Sequence, residues 1–286
     1  MPSVSSYLPS VFGSRGWATL PRKRQRKSRM EFEFKEPQRS YDSGTQKARV
    51  WTERWVADWL FCPNCGNKSI YQLPANLPVA DFYCAQCGDQ YELKSQKKPF
   101  GAKMVDGAYK TMCERLKSQD SPNFLLLQYD LPTASVVNVC VIPKHFFVPE
   151  IIEQRKPLPL TARRAGWIGC NILMDRIPES GRVYVVRNGV AAAKDLVVAQ
   201  WRQTLFLRQA RPEARGWLIE VMRCIDALGS EEFSLMDMYA FEQHLQQIYP
   251  GNNNVRPKIR QQLQFLRDKG YLDFVGNARY RRKSNI

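Results

Sequence analysis

The sequence predicts a mixed α/β domain with an embedded four-cysteine metal site, followed by a winged helix-turn-helix module. Three observations predict it. Helical and strand-like segments alternate between about residues 45 and 208. Two C-x-x-C pairs, Cys62-Pro-Asn-Cys65 and Cys84-Ala-Gln-Cys87, lie inside that stretch with 18 residues between them. Beyond Gln209–Arg215 the chain changes character, giving three closely spaced helical patterns and a terminal hairpin.

Taken in order, residues 1–29 read as a basic extension without sustained periodicity, and 286 residues leave room for two domains. Residues 45–60 form a helix whose Ala48, Trp51, Trp55 and Trp59 share one apolar face, as core tryptophans do. Val79–Cys84 and Gln90–Ser95 read as two short strands joined through the second cysteine turn. A helix is expected over 103–118, then apolar strands at Phe124–Tyr129 and Val136–Ile142. Residues 150–180, broken by Pro and Gly, predict a long ordered loop. Arg182–Val186 predicts a strand and 194–208 a helix. Helices over 216–228, 234–248 and 255–269 and two strands around Gly276-Asn277 complete the winged helix. The expected divisions are 1–29, 30–210 and 211–286.

A formal charge of +16 points to a polyanionic partner, most simply nucleic acid, with a surface tuned only for solubility as the plainer reading. The charge sits at the ends. Residues 1–29 carry seven basic residues and no acidic one, and residues 255–286 carry nine basic and two acidic. No apolar run is long enough to span a membrane, and no secretory signal core follows the N-terminal charges. Eight cysteines therefore fit reduced thiols in a cytoplasm, with Cys113, Cys140, Cys170 and Cys224 as ordinary buried thiols.

Four soft thiolates from two tight turns, Cys62, Cys65, Cys84 and Cys87, suit a closed, structural Zn²⁺ site; disulfides or free thiols are the competing readings. Interleaved with them are Asp81 and Glu92-Leu-Lys94. Strand alternation puts Glu92 and Lys94 on one face, sends Leu93 toward the core, and lets Asp81 reach the same face from the neighbouring strand. Two such carboxylates can hold Mg²⁺, and a lysine beside them can stabilise charge on a reacting phosphate. The pattern D-x10-E-x-K is weak by itself, since solvated strand charges also produce it. With only His145 and His244, far apart in the chain, a histidine-based nuclease or a Ser-His triad has little support.

Ser43-Gly-Thr-Gln-Lys-Ala-Arg49, Cys62-Pro-Asn-Cys-Gly-Asn67, Pro78-Val-Ala-Asp-Phe-Tyr-Cys84 and Tyr91-Glu-Leu-Lys-Ser95 resemble the DpnI-type methyl-directed restriction endonucleases. So do Asp106-Gly-Ala-Tyr109, Arg155-Lys-Pro157, Thr161-Ala-Arg-Arg-Ala-Gly-Trp-Ile-Gly-Cys-Asn171 and Ile259-Arg-Gln-Gln-Leu263. The resemblance spans Met30 to Lys283 and leaves out residues 1–29, which favours Met30 as the functional start. It implies a PD-(D/E)XK nuclease domain with an embedded zinc site and a C-terminal winged helix. The implied activity is type II cleavage of double-stranded DNA at GATC carrying N6-methyladenine, dependent on Mg²⁺ and leaving blunt ends. Asp81 and Glu92 would hold the metal, Lys94 would be the catalytic lysine, and the four cysteines would bind zinc. Ala80 stands where a proline often precedes the aspartate. The expected partner is methylated duplex DNA, with no membrane, and the chain is expected to act as a monomer.

For base reading, the third C-terminal helix turns Ile259, Leu263 and Leu266 inward and leaves Arg256, Lys258, Arg260, Gln261 and Gln264 outward. Cations suit phosphate, and Gln suits adenine edges in the major groove where the N6-methyl group lies. Arg279, Arg281, Arg282 and Lys283 would set the wing on the backbone. Arg163, Arg164 and Trp167 offer a second reader, an indole flanked by two cations. A solvated basic helix and a core-covering tryptophan are the plain alternatives. A zinc-containing winged-helix DNA binder without catalysis is the rival function, and a nuclease acting on damaged or branched DNA a third.

Overall fold

A computed structural model describes residues 30–35, 43–74, 80–118 and 121–283, and from Glu31 onward the chain forms one compact unit. The basic run Pro21–Lys27, Pro78 and Val79 lie outside the described residues.

Helix α1 (Gly44–Trp59) buries Ala48, Trp51, Thr52, Trp55 and Val56, a stripe that recurs every three to four residues, as one helical face must. Trp55 donates its indole N–H to Glu31 O at 2.8 Å, and Trp51 stacks on Phe34. Strands β1 (Tyr71–Gln72), β2 (Phe82–Tyr83) and β3 (Gln90–Gln96) follow, then β4 (Lys103–Ala108), α2 (Tyr109–Ser118), β5 (Asn123–Asp130) and β6 (Ser135–Ile142). Next come β7 (Ile152–Gln154), β8 (Gly169–Leu173), β9 (Val183–Arg187), β10 (Val190–Ala191) and α3 (Lys194–Arg202).

A seven-stranded sheet has the order β1-β2-β3-β5-β6-β9-β10. Its β3–β5 pair is parallel, with β4 and α2 in the crossover, while its other pairs are antiparallel. Strand β5 is buried along seven of its eight positions, so it is the sheet's centre. A second sheet, β4-β8-β7, packs beside it.

Three secondary-structure expectations before residue 210 need correction. The predicted helix over 103–118 begins only at Tyr109, because Lys103–Ala108 pairs antiparallel with Gly169–Leu173. That partner also turns the predicted loop 150–180 into sheet: β7 and β8 pair with each other and with β4. The helix expected over 194–208 ends at Arg202, and a 3₁₀ turn, Leu205–Gln209, follows.

The C-terminal part holds α4 (Pro212–Leu228), β11 (Glu232–Ser234), α5 (Leu235–Tyr239), α6 (Glu242–Ile248), α7 (Val255–Asp268), β12 (Leu272–Gly276) and β13 (Arg279–Arg282). The helix expected over 234–248 is thus two short ones, broken at Ala240-Phe241. Ser234 opens α5 with a reciprocal cap: its hydroxyl accepts from Asp237 N, and Asp237 accepts from Ser234 N. Helix α7 buries Val255, Ile259, Gln262, Leu263 and Leu266. The three-stranded sheet β11-β13-β12 forms the wing, turning at Asn277 and Ala278, both at positive φ.

Candidate active site, zinc knuckle and DNA-facing surface

Phe82 stands opposite Tyr91 in the β2–β3 ladder, and Asp81 lies one position before β2. Asp81 N donates to Tyr91 O at 3.0 Å, and the Asp81 carboxylate accepts from Leu93 N at 2.8 Å. Lys94 Nζ lies 2.6 Å from Glu92 Oε1, and Arg115 of α2 lies 3.5 Å from Glu92 Oε2. The structure therefore pairs Lys94 with Glu92 and sets the Asp81 carboxylate on the neighbouring Leu93 amide; Asp81 and Glu92 line the cleft, and Lys94 is not among its lining residues. Burial works against the charge on Lys94, but Glu92 and Asp106 outweigh it and its pKa is raised.

A cleft of about 480 Å³ opens over the two carboxylates. The N-terminal turn of α1 (Gly44, Thr45), Arg49, Glu53, Ser95 and Lys97 line it. Leu93, expected in the core, is half-buried and also lines the cleft, since its side of β3 faces α1 rather than the apolar layer under β5. Arg49 and Lys97 give the cleft two exposed cations; the Arg49 guanidinium bonds Glu53 and is held charged by it and, more weakly, by Asp81.

The second cysteine pair lies between Asp81 and Glu92, as the spacing requires. Each pair is followed by a glycine, Gly66 at φ +75° and Gly88 at φ +74°. Gly66 N closes onto Cys62 O and Gly88 N onto Cys84 O, giving two matching turns that only a residue tolerant of the left-handed region makes without strain. Cys62 Sγ and Cys87 Sγ are 3.6 Å apart, as are Cys65 Sγ and Cys84 Sγ, and all four sulfurs lie within 4.8 Å of one another. Sulfurs at about 2.3 Å around one tetrahedral zinc stand about 3.8 Å apart. The donor set fits zinc in number, softness and spacing.

A further shell orients the sulfurs: Tyr91 Oη contacts Cys62 Sγ at 3.1 Å, while Asn64 and Asn67 amides point at Cys87 and Cys84. Burial raises Cys84, yet backbone N–H groups of Cys87 and Gln86 outweigh it and hold the thiol down at about 7. Burial pushes Cys87 up to about 11. Asp89, just past the knuckle, accepts from Asn64 at 2.7 Å and from Arg208 at 2.8 Å. Arg208 lies in the turn leading to α4 and also donates toward His145 Nδ1 at 3.4 Å. The knuckle is thereby tied to the segment that enters the C-terminal helices.

On α7, Arg256, Arg260, Gln261 and Gln264 are exposed and Lys258 is half-buried. Some of these side chains have internal partners: Arg256 pairs with Glu242 at 2.8 Å, Arg260 donates to Tyr239 Oη, and Lys258 donates to Gln261. Arg279 and Arg281 share Glu232 on the wing, and Lys283 pairs with Asp273. Arg282 instead pairs inward, with Asp226 at 2.9 Å.

Arg163, Arg164 and Trp167 lie on the tip joining β7 to β8, which is closed by Leu158 N to Trp167 O and Gly166 N to Leu158 O. The Trp167 indole lies over Gly169, where a Cβ would meet it at 2.8 Å, and Arg164 sits 5.2 Å from its ring centre. At the same tip Leu160 is 93% exposed.

A family model described as the Dam-replacing family, DpnI, matches residues 30–210. The chain belongs to the DpnI family. A second model, the Dam-replacing HTH domain, matches residues 213–282, the span of α4 to β13. At the coarse level, DpnI membership makes this a methyl-directed restriction nuclease with a C-terminal DNA-binding HTH domain.

Sequence reasoning gave no role to four residues now at the site of this DpnI-family chain. Arg49 and Lys97 flank the cleft, and Asp106 and Arg115 hold Lys94 and Glu92. Arg49 and Asp106 fall in sequence blocks that carry the resemblance, but nothing in the pattern says what they touch. Glu220, Cys224 and His244 form a second set of metal-type donors. There, Arg223 Nη2 lies 2.5 Å from both Glu220 and His244, so the buried carboxylate already has its cation. Among the described residues, no helix is long and apolar enough to cross a membrane.

Proposed function

We propose that this chain cleaves double-stranded DNA at GATC when the adenine carries an N6-methyl group, by Mg²⁺-dependent hydrolysis that leaves blunt ends. The observation that carries the reading is the pair of carboxylates on one cleft, Asp81 just before β2 and Glu92 on β3, with Lys94 paired to Glu92, in a chain of the DpnI family. In this reading residues 30–210 form a PD-(D/E)XK nuclease domain, 211–286 a winged-helix reader, and 1–29 an extension. It works as a monomer in a reducing cytoplasm.

Two carboxylates supply hard oxygen donors of the kind Mg²⁺ takes while keeping its waters. Mg²⁺ when bound supplies a water of lowered pKa and neutralises charge on the phosphate. Asp81 and Glu92 hold it and orient the scissile phosphate in the cleft. Lys94 holds the attacking water in line and stabilises charge as the water oxygen bonds to phosphorus and the bridging P–O bond breaks. Arg49 and Lys97 contact neighbouring phosphates. Cys62, Cys65, Cys84 and Cys87 bind a structural Zn²⁺ that holds the loop between the two catalytic strands.

Helix α7 enters the major groove with Arg256, Lys258 and Arg260 on phosphate and Gln261 and Gln264 at adenine edges. Arg279 and Arg281 set the wing on the backbone, exchanging Glu232 for phosphate. Trp167, flanked by Arg163 and Arg164, meets the target from the nuclease side. The test is cleavage of duplexes that differ only in adenine methylation. A chain that binds methylated GATC in Mg²⁺ without cutting it would instead be a zinc-containing winged-helix binder.

A further inference from the structure

We infer that Asp106 is a positioning residue for this hydrolysis, fixing Lys94 at the reacting phosphate from a separate sheet. The inference rests on the nuclease reading above. Asp106 Oδ1 lies 2.5 Å from Lys94 Nζ, and its side chain is only 6% exposed. A carboxylate so buried needs a cation, and Lys94 supplies it. Lys94 in turn has three constraints. Glu92 Oε1 lies 2.6 Å away, Asp106 is on another side, and the Phe124 ring lies 5.5 Å from the ammonium. A lysine has four rotatable side-chain bonds and a strongly hydrated head, so free in a cleft it samples many positions. Clamped between two carboxylates, it keeps one.

Lys94 belongs to the seven-stranded sheet and Asp106 to β4 of the three-stranded one. The β4–β8 register breaks between Asp106 and Ala108, so the strand bulges at Gly107. A bulge re-aims the side chain beside it, and bulges are common next to active sites. Cys170 Sγ bonds Gly107 O at 3.5 Å across the bulge, holding that local shape. Glu92 has its own outer partner in Arg115 of α2, so the crossover segment from β4 through α2 braces both members of the pair. Asp106 touches neither metal nor phosphate in this account; it acts through Lys94.

The experiment uses full-length protein and single-turnover cleavage of a methylated GATC duplex at saturating enzyme with Mg²⁺. Duplex affinity is measured in parallel in Ca²⁺, and zinc content and melting temperature are recorded. Asp106→Asn keeps the shape and removes the charge. Its cleavage rate is expected to fall roughly 10- to 100-fold, the scale of losing an outer-shell partner or displacing a reacting group by about 1 Å. Duplex affinity should stay within about twofold, because Asp106 is not on the DNA surface. A wild-type rate in a folded, zinc-loaded Asp106→Asn overturns the inference, as does a loss of rate matched by a loss of affinity.

If Asp106→Asn melts early, Asp106→Glu decides. It keeps the charge pair but moves the carboxylate by one methylene, so a positioning role requires a lower rate at unchanged affinity, and a wild-type rate overturns it. Failure of the nuclease reading is a distinct result: wild-type protein binds the duplex and cuts nothing, and the inference falls with it.

Discussion

Removing either partner of the Asp89–Arg208 pair destabilises the fold by unequal amounts, and the burial of each side chain sets the order. Asp89 is 7% exposed and Arg208 30%. Arg208→Ala leaves a buried carboxylate with the Asn64 amide as its remaining side-chain donor. Breaking a buried pair so as to strand the charge costs about 3–5 kcal/mol. Asp89→Ala strands Arg208 instead, but its guanidinium reaches water and keeps the longer contact to His145, so the cost is about 1–3 kcal/mol.

The double variant strands neither charge and should be more stable than Arg208→Ala alone. For a unit of this size about 1 kcal/mol moves the melting midpoint by about 2–4 °C. Arg208→Ala should therefore melt about 6–20 °C below wild type, and Asp89→Ala only about 2–12 °C below it. Melting of zinc-loaded proteins followed by circular dichroism, with the double variant included, reads all three. Equal losses, or a double variant no more stable than Arg208→Ala, would refute the reasoning.

Three further outcomes follow from the same geometry. Asp81→Ala should abolish cutting while preserving methyl-selective binding in gel shifts; retained cleavage would sink the assigned metal site. Cys84→Ser should release zinc and unfold the nuclease part, because the loop it closes joins β2 to β3, and full zinc content with normal melting would contradict that. His145 is held well below its usual pKa by burial and then by Arg208, Arg215 and Lys144. The unfolded chain takes up a proton near pH 6.5 that the folded chain refuses. The stability from the neutral ring is therefore present above that pH and lost as pH falls through it, by at most about 1.4 kcal/mol per pH unit. His145→Gln can still meet Thr204, so its stability should gain on wild type between pH 7 and 5.5; a constant difference would count against this.

Much of the site was legible because its residues are close in the chain. Two C-x-x-C pairs and E-x-K are local patterns, and each follows from the geometry of one turn or one strand. Helix α7 was equally legible, since Ile259, Leu263 and Leu266 repeat at helical spacing and are all buried. What the chain hid depends on distant partners. Lys103–Ala108 is a strand because Gly169–Leu173 lies alongside it, over sixty residues later, and the same pairing made sheet of a segment broken by Pro and Gly. Arg208 meets Asp89 across 119 positions, a contact no periodicity encodes. Leu93 reads as a core residue by alternation alone, but α1 and β3 leave a cleft on its side.

Methyl-directed cleavage is tested by digestion of one plasmid prepared with and without adenine methylation at GATC, in Mg²⁺ buffer, with the cut ends sequenced. Blunt cuts within GATC on the methylated plasmid alone are expected. Equal cutting of both would contradict the methyl reading, and cutting of neither, with methyl-selective binding intact, would contradict catalysis itself.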